Sequence, residues 1–418
     1  MSSPLPRRAF RALVRRLAEA RRRSPDGEVV SGHHNTNLVL PLGAPLAFVL
    51  RQGSGDVLAK FRTPRPVVQV VPRAWERESE LLRALEGRVA HVPRCLADFG
   101  SWSLHEYLPG PSLAEVAPAG RPVGPGRLAA LAGFFAETAG VTARDLPPLP
   151  AGWPEDGDSA GFLRWLARFA DERVYRANRA RFGMLFDAVG VPEDAAGRFL
   201  HTVPTPVPRP FSLLHTDVHR GNVLVLPASD GERLAVIDWE LALYGDPVHD
   251  LATHLVRMDP DKDERELMVD LWSEAMRRAG HREMTAGLHR DLGTYVGFEY
   301  VQSLYPDVMR AALSLPGHPG DRELSEAAGR ICRALSRARR PLGLPAEPAD
   351  ESEVRAALRR WHAADREWRT RPADPRAVEG GPGADRGGAG GRARSRHPAG
   401  PPVRDAARGD DRGVELRR

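Results

Sequence analysis

Residues 211–226 read Phe-Ser-Leu-Leu-His-Thr-Asp-Val-His-Arg-Gly-Asn-Val-Leu-Val-Leu. Val-Ile-Asp-Trp-Glu follows at 236–240 and Gly-Asp-Pro-Val-His-Asp-Leu-Ala-Thr-His at 245–254. The short apolar runs 212–214, 223–226 and 234–237 predict buried strands. Asp217, Asn222 and Asp238 each stand at the edge of such a run. A carboxylate there is costly unless a cation meets it. Two carboxylates and a carboxamide are hard oxygen donors of the kind Mg²⁺ takes, with waters and substrate phosphates completing its shell.

The run His215-Thr216-Asp217-Val218-His219-Arg220-Gly221-Asn222 resembles the catalytic loop of aminoglycoside phosphotransferases and choline-kinase-like enzymes. It keeps the five-residue step from Asp to Asn of the protein-kinase loop. Val236-Ile237-Asp238 resembles the metal-binding Asp that follows that loop. The family's usual loop is His-Gly-Asp-Leu-His-Pro-Gly-Asn, so Thr216 stands for Gly and Arg220 for Pro. The resemblance implies an α+β, two-lobed, protein-kinase-like fold. A small antiparallel β N-lobe would precede a larger, mainly helical C-lobe.

Length and composition set the frame for that reading. The 418 residues suffice for one large two-lobed domain or two domains. Two cysteines, Cys95 and Cys332, have no metal spacing, and a reducing cytoplasm is the simplest compartment. No run of 18 apolar residues exists, so no membrane span is expected. The Arg-rich N-terminus lacks an apolar core behind it and is not read as a secretory signal. Residues 7–23 carry +7 and residues 371–418 carry +4 of a total of +5, which leaves the remainder at −6. An acidic body suits a cationic small substrate better than nucleic acid; plain solubility explains it equally. Of 60 basic residues only Lys60 and Lys262 are lysine, and a site that needs a compact ammonium would spare one.

Taken in order, residues 1–23 are a basic N-terminal segment whose helix places Phe10, Leu13, Val14 and Leu17 on one side, for packing on the body. The N-lobe spans 24–105. Glu28–Ser31, Asn37–Leu42, Ala47–Arg51 and Val57–Arg62 read as an antiparallel meander, and 93–99 and 102–107 as further strands of a five-stranded lobe. Ser31–Asn37 lies where the resemblance implies a phosphate-covering loop with Asn35 or Thr36; a plain hairpin turn fits the residues as well. Lys60 resembles the lysine that meets ATP phosphates, and Glu78, on a helix over 74–86, its ion-pair partner, with Glu76 the alternative. The stretch 105–110 resembles the interlobe hinge, where backbone groups around Tyr107 would meet adenine. The C-lobe, 106–369, is helical over 127–141, 159–183, 264–278, 284–313, 322–338 and 351–367. Glu155, Asp156 and Asp158 form an acidic loop, read first as solvated, and Glu299 is a candidate for the substrate pocket. Residues 370–418, rich in Gly, Pro and Arg, cannot bury enough surface to fold and are expected to be disordered.

The resemblance implies an ATP-dependent kinase of a small hydroxylated molecule. Lys60, held by Glu78, would contact phosphates; Asn222 and Asp238 would hold Mg²⁺; Asp217 would orient the acceptor hydroxyl and take its proton, with His215 bracing the loop. Aminoglycoside-like antibiotics lead as acceptors, and choline, homoserine and sugars share the scaffold. A nucleotide-binding regulatory protein without transfer activity is the rival reading. No module for specific nucleic-acid binding is present.

Overall fold

The computed structural model describes residues 7–370 apart from 25, 32–34, 66–68, 91, 230 and 345–349. The expected disordered tail and the centre of the phosphate-covering loop, Gly32–His34, lie outside the described residues. Everything described up to residue 369 belongs to one compact unit.

The N-terminal part is a five-stranded antiparallel sheet, ordered β1-β2-β3-β5-β4. Its strands are β1 (Glu28–Ser31), β2 (Asn35–Pro41), β3 (Leu58–Pro64), β4 (Cys95–Asp98) and β5 (Ser103–Glu106). Helix α1 (Arg7–Arg22) lays Val14 and Ala18 against Leu40, Leu42 and Phe61. Phe10 and Leu13, expected on the packed side, remain exposed. Arg22 adds to this packing by stacking over the Trp102 ring at 5.1 Å and donating to Thr63 at 2.9 Å. One expected strand is wrong: 44–49 is helix α2 (Ala44–Val49). Gly43, at φ 76°, turns the chain and Pro45 sits in the first turn, where its missing N–H costs nothing. Helix α3 (Glu78–Leu85) buries Leu81, Leu82 and Leu85.

The hinge after β5 runs against the C-terminal part. Gly110 is required there, because a Cβ would lie 2.5 Å from the Val225 carbonyl oxygen. Short α4 (Leu113–Val116) is capped by Ser112 and Glu115. Then come α5 (Pro125–Ala139), α6 (Ser159–Phe169), a π-helical turn over 170–176, α7 (Ala177–Ala188) and α8 (Ala195–Thr202). Two small hairpin-like sheets carry the central motif. β6 (Ser212–Leu214) pairs with β9 (Leu243–Gly245), and β7 (Val223–Ala228) with β8 (Gly231–Val236). Helices α9 (Pro247–Met258), α10 (Lys262–Arg278), α11 (Leu288–Leu313), α12 (Asp321–Arg339) and α13 (Glu351–Thr370) complete it. One apolar core, with Trp239, Trp272, Tyr295 and Trp361 among its largest buried side chains, holds these helices around the two small sheets. Among the described residues no helix is long and apolar enough to cross a membrane.

Candidate active site

The loop between β6 and β7 is fixed by hydrogen bonds that its sequence supplies. Buried Asp250 of α9 accepts from the backbone N–H groups of His215 (2.8 Å) and Thr216 (2.7 Å). Thr216 sits at φ 59°, the left-handed conformation that a glycine adopts freely. Its hydroxyl offsets the strain by donating to the Leu241 carbonyl at 2.6 Å. The loop therefore keeps its shape with Thr in place of Gly. Arg220, in place of Pro, donates to the Ala117 carbonyl at 2.5 Å, and its own carbonyl accepts from Ala114 N–H. His215 is buried and its pKa falls to about 3, because burial penalises the cation. The neutral ring lies 3.2 Å from the Ile237 carbonyl through Nε2, and Nδ1 accepts from Asp217 N–H at 3.2 Å. It braces the loop from inside.

Asp217 projects from this frame with both oxygens engaged. Asn222 Nδ2 donates to Oδ2 at 3.0 Å and to the Asp217 carbonyl at 3.1 Å. Arg257, from the last turn of α9, reaches Oδ1 at 2.6 Å. Burial raises the Asp217 pKa, against the lowering by Arg257 and His219. The amide nitrogen of Asn222 is thus turned inward, which leaves its oxygen as the group available to a cation. The Asn222 carbonyl accepts from Ile237 N–H at 2.9 Å, so Asp238 follows directly beside it. Asp238 is left-handed, at φ 70°. That turn lets Trp239 N–H donate to Glu78 Oε1 at 2.8 Å and aims the carboxylate at the N-terminal part.

There the expected pairing is corrected. Glu78 pairs with Arg62, not Lys60: Nε lies 2.8 Å from Glu78 Oε2 and Nη2 2.5 Å from Asp238 Oδ1. Strand alternation places Lys60 and Arg62 on one face of β3, and the longer, planar side chain spans the two carboxylates. Lys60 lies in the field of the same acids but forms no ion pair among the described residues; burial, then repulsion from Arg62, lowers its pKa. Glu76 is exposed and forms no ion pair among the described residues. Glu240 completes the cluster, taking Asn35 Nδ2 at 2.8 Å, with Arg73 at 3.3 Å and Arg62 at 3.4 Å. Asn35 is therefore tied to the C-terminal part from β2. Burial raises the Glu78 pKa; at Asp238 burial also pushes upward, but Arg62, His215 and Lys60 together outweigh it and lower the pKa. The buried Glu240 Oε1 has no hydrogen-bond partner among the described residues. The seam thus holds three acids with Arg62, the half-buried Arg73 and the nearby Lys60, and the orphan oxygen among them fits a hard cation supplied from outside. Tyr107 lies at the hinge, half-buried and outside this cluster.

Sequence reasoning missed Arg62, Glu240 and Arg257. Arg62 was within reach: it shares the face of Lys60, and a chain that uses Arg almost everywhere is expected to use it here. Arg257 lies seven residues after Asp250, the same face of α9 two turns on.

The sequence model of the phosphotransferase enzyme family matches residues 29–285. The chain belongs to this phosphotransferase family. Its members transfer phosphoryl groups to small molecules, so the chain is an enzyme of that class. No curated protein sequence matches it. Among solved structures, an ethanolamine kinase of Plasmodium vivax is similar at 13% identity and TM-score 0.45, over 80% of this chain and 87% of that one. A choline/ethanolamine kinase family protein of Mesorhizobium loti is similar at 16% and 0.44, over 84% and 99%. A macrolide 2'-phosphotransferase of Brachybacterium faecium is similar at 18% and 0.42, over 73% and 91%.

Proposed function

We propose that this phosphotransferase moves the γ-phosphoryl group of ATP to a hydroxyl of a small molecule, with Mg²⁺ as the metal. The observation that supports this best is the braced loop that carries Asp217 and Asn222, with Asp238 beside it after β8 and meeting Arg62 and its partner Glu78 across the seam. Asn222 through its amide oxygen and Asp238 through its carboxylate would hold the metal. Two protein oxygens leave room for phosphate oxygens and water, the shell that Mg²⁺ prefers. When bound, the metal supplies neutralisation of charge on the transferred group.

Asp217 orients the acceptor hydroxyl and takes its proton. Its two hydrogen bonds fix the carboxylate in one rotamer, and phosphoryl transfer depends chiefly on positioning and electrostatics. Arg62 and Lys60, on one face of β3, supply positive charge to the phosphates, and Glu78 holds Arg62 in place. Tyr107 and Leu108 offer hinge backbone groups to adenine. Asn35 acts by orienting Glu240. A cytoplasmic location goes with this reading.

The test is Mg²⁺-dependent ADP release over a panel of aminoglycosides, choline, homoserine, sugars and hydroxy acids, with Asp217→Ala as control. We expect at least one acceptor to stimulate release, and the variant to lose on the order of 10²-fold or more in turnover while still binding nucleotide. Near-normal turnover in Asp217→Ala removes Asp217 from this role.

A further inference from the structure

Arg257 comes closer to the acceptor side of the reaction than any other cation described. Its Nη1 lies 2.6 Å from Asp217 Oδ1, its one ion pair among the described residues. Nε and Nη2 make no hydrogen bond among them, and the side chain is 31% exposed. An acceptor hydroxyl must come within about 3 Å of Asp217 to pass its proton. A substituent two or three bonds from that hydroxyl would come within reach of the guanidinium edge.

The acids nearby do not use that edge. Asp250 spends its oxygens on the loop N–H groups. Glu299, 3% exposed, lines one small cavity together with Arg257, His249 and Gln302, but forms no ion pair with Arg257 among the described residues. It takes the Gln302 amide at 2.6 Å and faces His249 Nδ1 at 3.5 Å. Asp307 feels the charge of Arg257, but its ion pair is with Arg310. The surface beside the reactive carboxylate therefore presents a fixed fork of unspent N–H donors. Such a fork matches a carboxylate with two parallel hydrogen bonds and repels an ammonium.

We propose that the acceptor is a hydroxylated carboxylate, and that Arg257 recognises its carboxylate while Asp217 receives its hydroxyl. The inference rests on the reading of Asp217 as the acceptor-side residue. It also sets the local charge against that of the body, whose acidity favours cations.

The experiment is isothermal titration of the full chain with glycerate and gluconate, with glycerol, and with choline, ethanolamine and kanamycin, in the presence of Mg²⁺ and a non-hydrolysable ATP analogue. ADP release with ATP is measured in parallel. We expect the hydroxy acids to bind and the amines to bind at least tenfold more weakly. Arg257→Gln should lose tenfold or more in carboxylate affinity and leave glycerol unchanged; Arg257→Lys, which keeps the charge without the fork, should recover part. Tighter binding of choline or kanamycin than of any carboxylate overturns the inference, as does failure of every carboxylate to bind. So does an Arg257→Gln variant with unchanged carboxylate affinity and a uniformly reduced turnover, because that assigns the guanidinium to the transferred phosphoryl group. Binding as expected without ADP release from any acceptor counts against the kinase reading and leaves the recognition by Arg257 standing.

Discussion

Two buried arginines, Arg209 and Arg62, each meet several carboxylates, and the difference between them separates scaffold from site. Arg209 is fully buried and fully spent. It grips Asp246 through Nε and Nη2 at 2.9 and 2.7 Å, and reaches Asp291 at 2.8 Å and the Ala286 carbonyl at 2.6 Å. Tyr295 O–H donates to Asp246 at 2.8 Å, and Asp291 also accepts from Val207 N–H. Arg62 also contacts several acids, yet Glu240 keeps an orphan oxygen and Asp238 is 31% exposed. A network that closes on itself anchors α9 and α11. A network that leaves a buried carboxylate oxygen orphaned at an open seam is suited to receive a cation.

The contrast can be broken at either end. Arg209→Met should cost about 3–5 kcal/mol of stability, because it leaves two buried carboxylates without their cation. A loss under about 1 kcal/mol in urea denaturation would mean that the network is not scaffold. Acid comes next. Burial holds His215 and His105 at pKa about 3 and His254 at about 4. Their unfolded forms bind protons near pH 6.5 and the folded forms do not, so stability falls as pH drops below that value. Asp250, pushed up to about 7 by burial, acts in the opposite sense, since it takes a proton in the folded state first. The net slope should be on the order of 2–3 kcal/mol per pH unit between pH 6 and 4.5. Flat stability over that range would show these histidines to be hydrated.

At the open end the effects are smaller. Arg62→Met should cost about 1–2 kcal/mol, less than Arg209→Met, because Asp238 is partly solvated and Arg73 remains. Added Mg²⁺ should then raise the melting temperature of the variant more than that of the wild type, since it replaces the lost cation. Equal shifts would argue against a shared cation site. Smallest of all, Thr216→Gly should stay within about 1 kcal/mol of wild type: glycine relieves the left-handed strain and loses the bond to Leu241.

The catalytic-loop region was legible because its apolar runs are short, bounded and interrupted by acids that need a reason to be there. The N-terminal sheet followed from strand punctuation, and the two-lobed fold from the family resemblance of the loop at 215–222. What failed did so for physical reasons. Ala47–Arg51 is apolar and too short to separate strand from helix, and Pro45 decides it as a first-turn residue. β9, three residues long, has no periodicity to read. α8 begins at the Asp194 cap, an available signal left unread. Lys60 stands out by its rarity and by its resemblance to the phosphate-contacting lysine, whereas reach across the seam selects the planar side chain of Arg62. Arg257 belongs to a contact between α9 and the loop that only tertiary structure brings together.

The account turns on Asp238 and the open seam around it. The most direct measurement is titration of a non-hydrolysable ATP analogue with Mg²⁺ into the wild type and into Asp238→Asn. A loss of tenfold or more in metal-dependent affinity, with folding intact, is the expected result. Equal affinity in both proteins, with or without Mg²⁺, would contradict the assignment of this seam as the metal–nucleotide site.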